Sequence, residues 1–554
     1  MFLTYKNPVY EYLKSPDQDA SQALHHPVIV VGAGPIGMGA ALDLGQYGCE
    51  VLVLDDNNTV SVGSRAVCYS KRALEILDRL GCGDRMVDKG VTWNVGKVFF
   101  RDELVTQFDL LPEPGHKMPA FINLQQYYLE EYMVDRINEL DAVEVRWKNK
   151  VIAVDDGGDQ TRISVETPDG VYDMTCDWLI VADGANSDVR AMLGLQSSGK
   201  IFEDRFLIAD IVMKADFPPE RWFNFDPSYH RGQSTLLHRQ SDNVWRLDFQ
   251  LGWDKDPEVE KRPENVIPRV KAMMGEDVEF ELEWASVYTF QCRRMESFRK
   301  GHVLFTGDAA HQVSPFGARG ANSGLQDTDN LAWKLKLVLD GKAPERLLDS
   351  YCEEREVAAD ENIMNSTRST DFITPKSTTS RIFRDATLEL SKRFDFARKL
   401  TNSGRLSDAA VLAESSLNSP DDGEFDNLLV AGAVMADAPV QGSAGEWLLH
   451  ACGNRFQLLY YVDNIDELDT AVIDALKALE DDSIPVETLV VFRQGKAPAE
   501  LNAVCDSKGL IAERYDARDG SAYLIRPDQH IAARFRGAQI DKVRAAVQRA
   551  TAQL

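Results

Sequence analysis

The hydrophobic and polar positions divide the chain into segments of different character. Residues 28–31, 51–54 and 178–182 are apolar throughout, and residues 303–306 are nearly so. Such runs are typical of strands that are buried on both faces of a parallel sheet. In residues 245–251 every second residue is apolar, which predicts a sheet with only one covered face. We therefore expect an α/β domain that is interrupted by a mostly antiparallel β domain.

The changes of pattern also predict where the domains begin and end. Residues 1–26 form a polar N-terminal extension. Residues 27–199 and 293–410 form one discontinuous α/β domain around an inserted sheet domain, residues 200–292. After a segment rich in Ser, Asp and Gly, residues 425–554 alternate strands and helices, which predicts a third unit of the α/β class.

A glycine motif, GAGPIG at residues 32–37, follows the first apolar strand and opens a predicted helix. In this motif Gly32 permits a tight turn, Gly34 lets the backbone approach a pyrophosphate, and Gly37 allows close packing of helix on strand. The helix N-terminus supplies free N–H groups for phosphate. Asp55 ends the second strand, where it can accept a hydrogen bond from a ribose hydroxyl. The pattern predicts a Rossmann-like dinucleotide site without a ribose 2′-phosphate.

Two further motifs follow buried strands. Asp183 and Gly184 come directly after residues 178–182, although on its own such a pair is equally a common turn. Gly307 and Asp308 come directly after residues 303–306, and a glycine-rich loop, PFGARGAN, then leads into a helix. The backbone N–H groups of such a loop suit an electron-rich ring or a phosphate.

With these three motifs in this order, residues 27–375 resemble the FAD-dependent aromatic hydroxylases of the para-hydroxybenzoate hydroxylase type. Among them the chain looks most like the larger members, such as 3-(3-hydroxyphenyl)propionate and phenol hydroxylases. Those members carry a C-terminal thioredoxin-like domain, which residues 425–554 resemble. This chain has no CxxC pair there, so the resemblance implies a packing or dimer role for that domain.

The resemblance implies bound FAD, NADPH or NADH as hydride donor, and dioxygen. An aromatic carbon would attack the distal oxygen of a flavin hydroperoxide, and the product would be a hydroxylated small phenol or aromatic acid. The family pattern places Asp55 at the adenosine ribose, Arg65 at the pyrophosphate and Asp308 at the ribityl hydroxyls. The full set expected to contact FAD is Gly32, Gly34, Pro35, Ile36, Gly37, Asp55, Arg65, Gln125, Val151, Asp183, Gly184, Gly307, Asp308, Pro315, Gly320, Ala321 and Asn322.

Hydroxylation of a phenol needs a group that takes or polarises its proton. The candidates in the inserted sheet are His238, Tyr288, His230 and Tyr229. For contact with the substrate, the candidates are Arg239 and Arg246, which could meet a carboxylate, together with Pro315. A His, Tyr or Arg residue on a half-buried strand is more often an ordinary packing residue than a catalytic or binding one, so the sequence selects none of them.

Composition excludes several other classes. The formal net charge of −27 disfavours phosphate backbones, so nucleic acid is not an expected partner. The eight cysteines are scattered, without zinc spacing, so no metal site is expected. Free thiols, the lack of an apolar signal segment and the lack of a membrane-length apolar run favour a cytoplasmic protein without a membrane partner. The family resemblance makes a homodimer plausible.

Three alternatives stay open at this point. The same flavin chemistry could act on a polycyclic or polyketide aromatic compound. The chain could also be a flavin-binding redox sensor without turnover. A plain NAD-dependent dehydrogenase is a third alternative, but the Gly307 and Gly320 motifs argue against it because that class has no flavin to contact.

Overall fold

A computed structural model describes residues 4–63, 65–215, 217–401, 406–426, 429–442 and 445–554. The strands are, in chain order, β1 Leu24–Val31, β2 Val51–Asp55, β3 Cys68–Ser70, β4 Val91–Trp93, β5 Val95–Phe100, β6 Glu103–Asp109, β7 Phe121–Asn123, β8 Val143–Trp147, β9 Lys150–Asp155, β10 Thr161–Thr167, β11 Gly170–Val181, β12 Ser197–Val212, β13 Arg221–Phe225, β14 Ser234–Arg239, β15 Val244–Gln250, β16 Glu281–Met295, β17 Arg299–Lys300, β18 Val303–Phe305, β19 His311–Gln312, β20 Gln441–Gly442, β21 Phe456–Asn464, β22 Val486–Gln494, β23 Ala503–Cys505, β24 Ala522–Ile525 and β25 Ile531–Phe535. The helices are α1 Pro35–Gln46, α2 Lys71–Arg79, α3 Gly83–Lys89, α4 Gln126–Ile137, α5 Asp188–Met192, α6 Pro257–Glu260, α7 Pro263–Met274, α8 Gly320–Leu339, α9 Asp349–Ile373, α10 Thr378–Ser391, α11 Asp395–Thr401, α12 Leu448–Ala451, α13 Thr470–Lys477, α14 Leu510–Tyr515 and α15 Ile540–Ala550.

The first sheet has a parallel core in the order β18-β11-β1-β2-β8. The four apolar runs seen in the sequence therefore lie side by side. Their side chains are buried in one apolar core, into which α1 and α8 also pack. The expected α/β class with an FAD-domain type of sheet is confirmed.

The second sheet has the order β19-β16-β12-β15-β14-β13-β5-β6. Its centre comes from the inserted segment, and β5 and β6 from an earlier part of the chain extend one edge. The alternation in β15 separates the two faces: Leu247 and Phe249 pack towards Val266 and Val270 of α7. The opposite face carries Arg246, and we call it the polar face because Asp210, Arg246 and Asp248 are buried there, next to apolar residues such as Leu236.

The C-terminal sheet has the order β20-β23-β22-β21-β24-β25. Strands β23, β22 and β21 are parallel, and β24 and β25 form an antiparallel hairpin next to β21. A separate C-terminal α/β domain is thus confirmed. Its two cysteines are far apart in sequence: Cys452 is buried, and Cys505 is half-buried.

A buried ion network joins this domain to the first. Glu354 of α9 accepts hydrogen bonds from Lys334 of α8 (2.6 Å) and from Arg526 (3.0 Å). Arg526 also pairs with Asp528, and all four side chains are fully buried. Since a buried charge is costly without its partner, these contacts hold the two domains in one arrangement.

The N-terminal extension lies across the first domain. Tyr5 stacks on Tyr127 with ring centroids 4.0 Å apart, and Tyr10 stacks on Trp147 at 4.5 Å.

Within the described ranges, no helix combines the length and the apolar character needed to cross a membrane. No group of His, Cys, Asp and Glu in that part of the chain is arranged to hold a metal ion.

Candidate cofactor and substrate site

Three of the predicted motifs and Asp55 meet at one edge of the first sheet. Gly32 follows β1, Asp183 follows β11 and Asp308 follows β18, while Asp55 is the last residue of β2. Because these four strands are neighbours and parallel, their carboxyl ends open on one crevice. This edge is where ligands bind in open parallel sheets.

The glycine turn after β1 leaves room for a ligand at one position only. Gly32 has φ +104°, and a Cβ there would lie 2.6 Å from the carbonyl oxygen of Ala182. A Cβ on Gly37 would lie 1.9 Å from the carbonyl oxygen of Gly32, so the helix packs directly on the turn. A Cβ on Gly34 would meet no atom within 4 Å. That open space lies at the N-terminus of α1, which suits a pyrophosphate.

Asp55 holds the turn from the neighbouring strand. Its Oδ2 accepts a hydrogen bond from the backbone N–H of Ala33 (2.6 Å), and its Oδ1 accepts one from Asn57 (2.8 Å). Burial raises the pKa of Asp55, and these two N–H groups oppose the rise. Each carboxylate oxygen has two lone pairs, so these bonds leave capacity for a ribose hydroxyl.

The backbone of Asn149 connects Val151 to the same end of the site. The N–H of Asn149 donates to the backbone carbonyl of Asp55 (2.8 Å). Val151 follows two residues later, buried in β9 opposite Val165. A contact between Val151 and the cofactor would therefore be made at the adenosine end.

The turn after β18 is held by a buried network that the sequence did not reveal. Gly307 has φ +56°, and its N–H donates to Oδ2 of Asp327 (3.0 Å). The same oxygen is bonded to His311 Nε2 (2.7 Å), and Oδ1 accepts from Arg355 Nε (2.7 Å). Burial alone would raise the pKa of Asp327, but His311 and Arg355 outweigh it and lower that pKa.

Asp308 projects from this turn into accessible space. Its side chain is exposed, and its carboxylate has no hydrogen bond or ion pair with any described residue. The surrounding protein nonetheless raises its pKa by desolvation, against the charges of His311 and Arg65. A solvent-reachable acid deep in a crevice fits a ligand with hydroxyl groups. Arg65 acts on this carboxylate from the loop before β3, although the preceding Ser64 lies outside the described residues.

The N-terminus of α8 faces the same crevice region. The N–H groups of Gly320, Ala321 and Asn322 belong to the first turn, where a helix offers no internal acceptors. The side chain of Asn322 anchors this turn, because its Oδ1 accepts from the N–H of Ser70 (3.0 Å) and its Nδ2 donates to the carbonyl of Cys68 (2.9 Å). Pro315 is exposed at the start of the loop.

Two of the residues expected to contact FAD have a buried polar atom that lacks a partner in the described part of the chain. Oδ1 of Asp183 is one, while Oδ2 of that residue caps α5 through the N–H of Val189 (3.1 Å). Oε1 of Gln125 is the other, although its Nε2 donates to the carbonyl of Ser241 (3.1 Å). Unpartnered buried acceptors are uncommon in folded proteins. Together with the space at Gly34 and the open Asp308 carboxylate, they fit a cofactor that is rich in hydroxyl and phosphate groups.

Comparison with known proteins identifies that cofactor. Residues 25–366 match the FAD binding domain family, and residues 440–550 match the HcaD C-terminal domain. The chain belongs to the family of FAD-dependent aromatic hydroxylases. It is a flavoprotein monooxygenase with FAD as cofactor and NAD(P)H and dioxygen as co-substrates.

Similar proteins support this membership over most of the chain. A 3-(3-hydroxy-phenyl)propionate/3-hydroxycinnamic acid hydroxylase from Klebsiella pneumoniae is 26% identical over 527 residues, which are 93% of each chain. A 6-methylpretetramide 4-monooxygenase from Streptomyces rimosus is 31% identical over 362 residues, which are 64% of this chain and 62% of that protein. The crystal structure of the flavin-dependent monooxygenase PieE superposes with a TM-score of 0.79 at 21% identity and covers 96% of this chain and 100% of the other.

In the hydroxylase, two of the candidate residues for proton transfer lie in the turn between β13 and β14. The hydroxyl of Tyr229 is bonded to Oγ1 of Thr235 (2.8 Å), and Nε2 of His230 is bonded to the carbonyl of Gln250 (2.6 Å). Burial raises the pKa of Tyr229 to about 12 and lowers that of His230. Both rings thus have structural partners at one end of the sheet.

Of the two candidate arginines, Arg239 lies on the α7 side of the second sheet. It packs over the ring of Trp245 and donates to Oδ1 of Asn243 (3.2 Å). Arg246 lies on the opposite, polar face. It forms a two-pronged pair with Asp210, with distances of 2.8 Å and 2.7 Å, and both residues are buried.

His238 lies beside Arg246 on the polar face, because the two residues are opposite each other in β14 and β15. It is 2% exposed, and neither ring nitrogen has a hydrogen-bond partner in the described ranges. Burial lowers the pKa of His238 well below its usual value, and the charges of Arg221 and Arg246 lower it further. The imidazole is therefore neutral.

Tyr288 is half-buried in β16, with its ring 6.3 Å from that of Trp284.

Sequence reasoning missed two residues of the same face, Arg221 and Asp248. Both are buried, and each has a buried side-chain atom without a partner among the described residues: Nε of Arg221 and Oδ1 of Asp248. For Asp248 a signal was available. The alternation in residues 245–251 places it on the same face as Arg246. For Arg221 no comparable pattern exists.

A cavity of about 270 Å³ lies close to the N-terminus of α8, between the first domain and the C-terminal one. Ser70, Phe121, Leu406 and Met435 are among its lining residues. Ser70 is the residue whose N–H is bonded to Asn322. The cavity is therefore linked to the first turn of α8 through Ser70.

Proposed function

We propose that this monooxygenase hydroxylates a small phenolic compound or aromatic acid. The observation that carries the proposal is a short series of contacts, through Cys68 of β3, between the first turn of α8 and the polar face of the second sheet. Asn322 donates to the carbonyl of Cys68, and the Sγ of Cys68 accepts from Nη1 of Arg221 (3.5 Å). The end of the crevice expected to hold the isoalloxazine therefore adjoins the buried polar side chains of that sheet.

Aromatic side chains form another part of this boundary. Phe316 follows Pro315 in the loop that precedes α8, and it is buried. Its ring packs against those of Phe206 (5.0 Å between ring centroids) and Phe290 (5.2 Å). An apolar wall suits an aromatic ring and keeps water away from the reacting atoms. The buried charged row next to it suits a hydroxyl or carboxylate on that ring.

The residues expected to contact FAD are proposed in the roles that their positions support. Gly34 and the first turn of α1 would bind the pyrophosphate together with Arg65, and Asp55 would bind the ribose. Asp308 would accept hydrogen bonds from the ribityl chain, and the N–H groups of the first α8 turn would contact the pyrimidine edge. Bound FAD supplies the electron transfer from NAD(P)H and the activation of dioxygen.

A polycyclic phenol is the second candidate substrate. The relative named 6-methylpretetramide 4-monooxygenase supports it, since it is the more similar of the two relatives by identity, although over a shorter segment. The hydroxylase from Klebsiella pneumoniae supports the small phenol over nearly the whole chain. The substrate panel below therefore contains both kinds of compound.

We also propose that the enzyme is a cytoplasmic homodimer without a nucleic-acid or membrane partner. The net charge of −27 supports the absence of a nucleic-acid partner. For the dimer, support comes from an apolar surface on α10, α11 and the turn between them, where Ile382, Phe383, Phe394 and Phe396 are all about half exposed or more. Light scattering of the wild type and of Phe383→Glu tests this; a monomeric wild type would exclude the dimer.

The deciding experiment is anaerobic reduction of the purified holoenzyme by NADPH and by NADH, followed as loss of the yellow flavin absorbance. Each donor is tested alone and with 3-(3-hydroxyphenyl)propionate, simple phenols, aromatic acids and a tetracyclic phenol. We expect one small phenol or aromatic acid to accelerate reduction and to be hydroxylated in air. Acceleration by the tetracyclic compound alone would refute the small-substrate proposal, and no acceleration by any compound would favour a redox sensor.

A further inference from the structure

Five titratable side chains come together on the polar face of the second sheet. Pairing of β14 with β15 sets His238 opposite Arg246, and pairing of β12 with β15 sets Asp210 opposite Arg246. Arg221 lies in the next strand, β13, and Asp248 lies two residues beyond Arg246 on the same face. Cys68 of β3 approaches this row from the first domain through its contact with Arg221.

Of the two carboxylates in this row, only Asp248 has no hydrogen-bond or ion-pair partner among the described residues. Asp210 is saturated by Arg246 on both oxygens, and its Oδ1 also accepts from Nε2 of Gln240 (3.2 Å). Asp248 forms no hydrogen bond and no ion pair with any residue that the structure describes, although it is only 9% exposed. Burying an ionised carboxylate without a partner costs several kcal/mol. A ligand with a hydroxyl group would supply the missing donor.

The surroundings also determine how Asp248 holds a proton. Burial raises its pKa, Asp210 raises it further, and the guanidinium groups of Arg246 and Arg221 oppose the rise, with the result that the pKa is about 6. His238, by contrast, is kept neutral by burial and by the same two arginines. Around neutral pH the carboxylate of Asp248 is therefore the available base, and the imidazole of His238 is a neutral neighbour.

We propose that Asp248 is the catalytic base that takes the proton of the substrate hydroxyl, and that Arg221 stabilises the resulting phenolate. This assignment rests on the proposed function. The O–H bond of the phenol breaks, its electron pair stays on the phenol oxygen, and the proton forms a new O–H bond on Asp248. The carboxylate is restored when that proton passes to solvent, so one proton is taken and one released in each turnover.

The position of Asp248 relative to the flavin end supports this role. The series of contacts from the first turn of α8 to the acid is short: Asn322 contacts Cys68, Cys68 contacts Arg221, and the charge of Arg221 acts on Asp248. Leu236, the residue opposite Asp248 in β14, belongs to the same apolar cluster as Phe316. A phenol between the loop and the sheet can therefore meet an apolar wall and an acid together.

The test compares Asp248→Asn with wild-type holoenzyme and with Glu281→Gln, the same change of carboxylate to amide at an exposed position of β16. Flavin reduction, hydroxylation and hydrogen peroxide release are measured with the phenol that accelerates wild-type reduction. Ultraviolet difference spectra from pH 5 to 9 show whether the bound compound is a phenol or a phenolate. FAD content and circular dichroism control for folding.

We expect Asp248→Asn to keep FAD and to bind the phenol in its neutral form. Hydroxylation should fall by about 10²–10⁴-fold, the usual contribution of a general base, and NAD(P)H consumption should yield hydrogen peroxide instead. In the wild type, the rate of hydroxylation should depend on a group with a pKa near 6. This pH dependence should be absent from Asp248→Asn, while Glu281→Gln should behave as the wild type does.

Three outcomes would overturn the assignment. If Asp248→Asn binds phenolate and hydroxylates with the wild-type pH profile, Asp248 is not the base, although the proposed function stands. If no phenol or aromatic acid is turned over by the wild type, both proposals fail. If Asp248→Asn does not retain FAD, the test uses Asp248→Glu in its place. Asp248→Glu keeps a carboxylate on a longer side chain. If the apparent pKa of hydroxylation is the same in this variant as in the wild type, Asp248 is not the base.

Discussion

The unpartnered carboxylate of Asp248 makes a prediction about stability that needs no substrate. Its pKa in the folded protein is about 6, against an ordinary value of 3.8. Because the folded state binds this proton more tightly than the unfolded state, the acid lowers stability as the pH rises between these two values. Below about pH 4 the effect is absent, and above about pH 6 it is complete.

The size of the effect follows from the pKa difference. About two pKa units at 1.36 kcal/mol each correspond to roughly 3 kcal/mol of destabilisation at neutral pH. Asp248→Asn removes the charge and breaks no hydrogen bond with a described residue. We therefore expect the variant to be more stable than the wild type at pH 8, by up to about 3 kcal/mol, and equally stable near pH 4.

Thermal unfolding of the substrate-free holoenzyme at several pH values measures this difference. Asp327→Asn is the contrasting variant, because His311 and Arg355 lower the pKa of Asp327, so that its ionised form contributes to stability. Asp327→Asn should lower the melting temperature at pH 8, whereas Asp248→Asn should raise it. A melting temperature of Asp248→Asn that is lower than wild type by the same amount at every pH would refute the reasoning.

Three further predictions concern the cofactor and the domain contact. Asp308→Ala should weaken FAD binding by about 1.5–3 kcal/mol, because a charge-assisted acceptor is lost; equilibrium titration of the apoprotein measures it, and Asp188→Ala, a change at an exposed acid, should have no effect. Gly34→Ala should fold normally yet bind FAD poorly, since only ligand space is filled, whereas Gly37→Ala should lower the apoprotein melting temperature through its backbone clash; equal melting temperatures would contradict this. Glu354→Gln should destabilise the protein by about 3–5 kcal/mol in urea unfolding, because Lys334 would lose its buried counter-charge and Arg526 would keep only Asp528; an unchanged midpoint would show that the network does not stabilise the domain contact.

Local pattern determined the parallel core and the cofactor motifs. Strands that are buried on both faces are apolar throughout, so β1, β2 and the end of β11 were recognisable in the sequence as uninterrupted apolar segments. The glycines of the first turn were recognisable for a similar reason. Where a Cβ would lie within 3 Å of a backbone atom, as at Gly32 and Gly37, only glycine fits, and this restricts the residue type at a known spacing.

Tertiary structure decided the substrate side of the site. His238, Arg246, Asp210 and Arg221 come from four strands, and they become neighbours only because these strands lie in the order β12-β15-β14-β13, which differs from their order in the chain. The sequence could show that Asp248 shares a face with Arg246. It could not show that Asp210 accepts two hydrogen bonds from Arg246 and that Asp248 is left without a partner among the described residues. The partners and the burial of these side chains depend on which strands lie side by side.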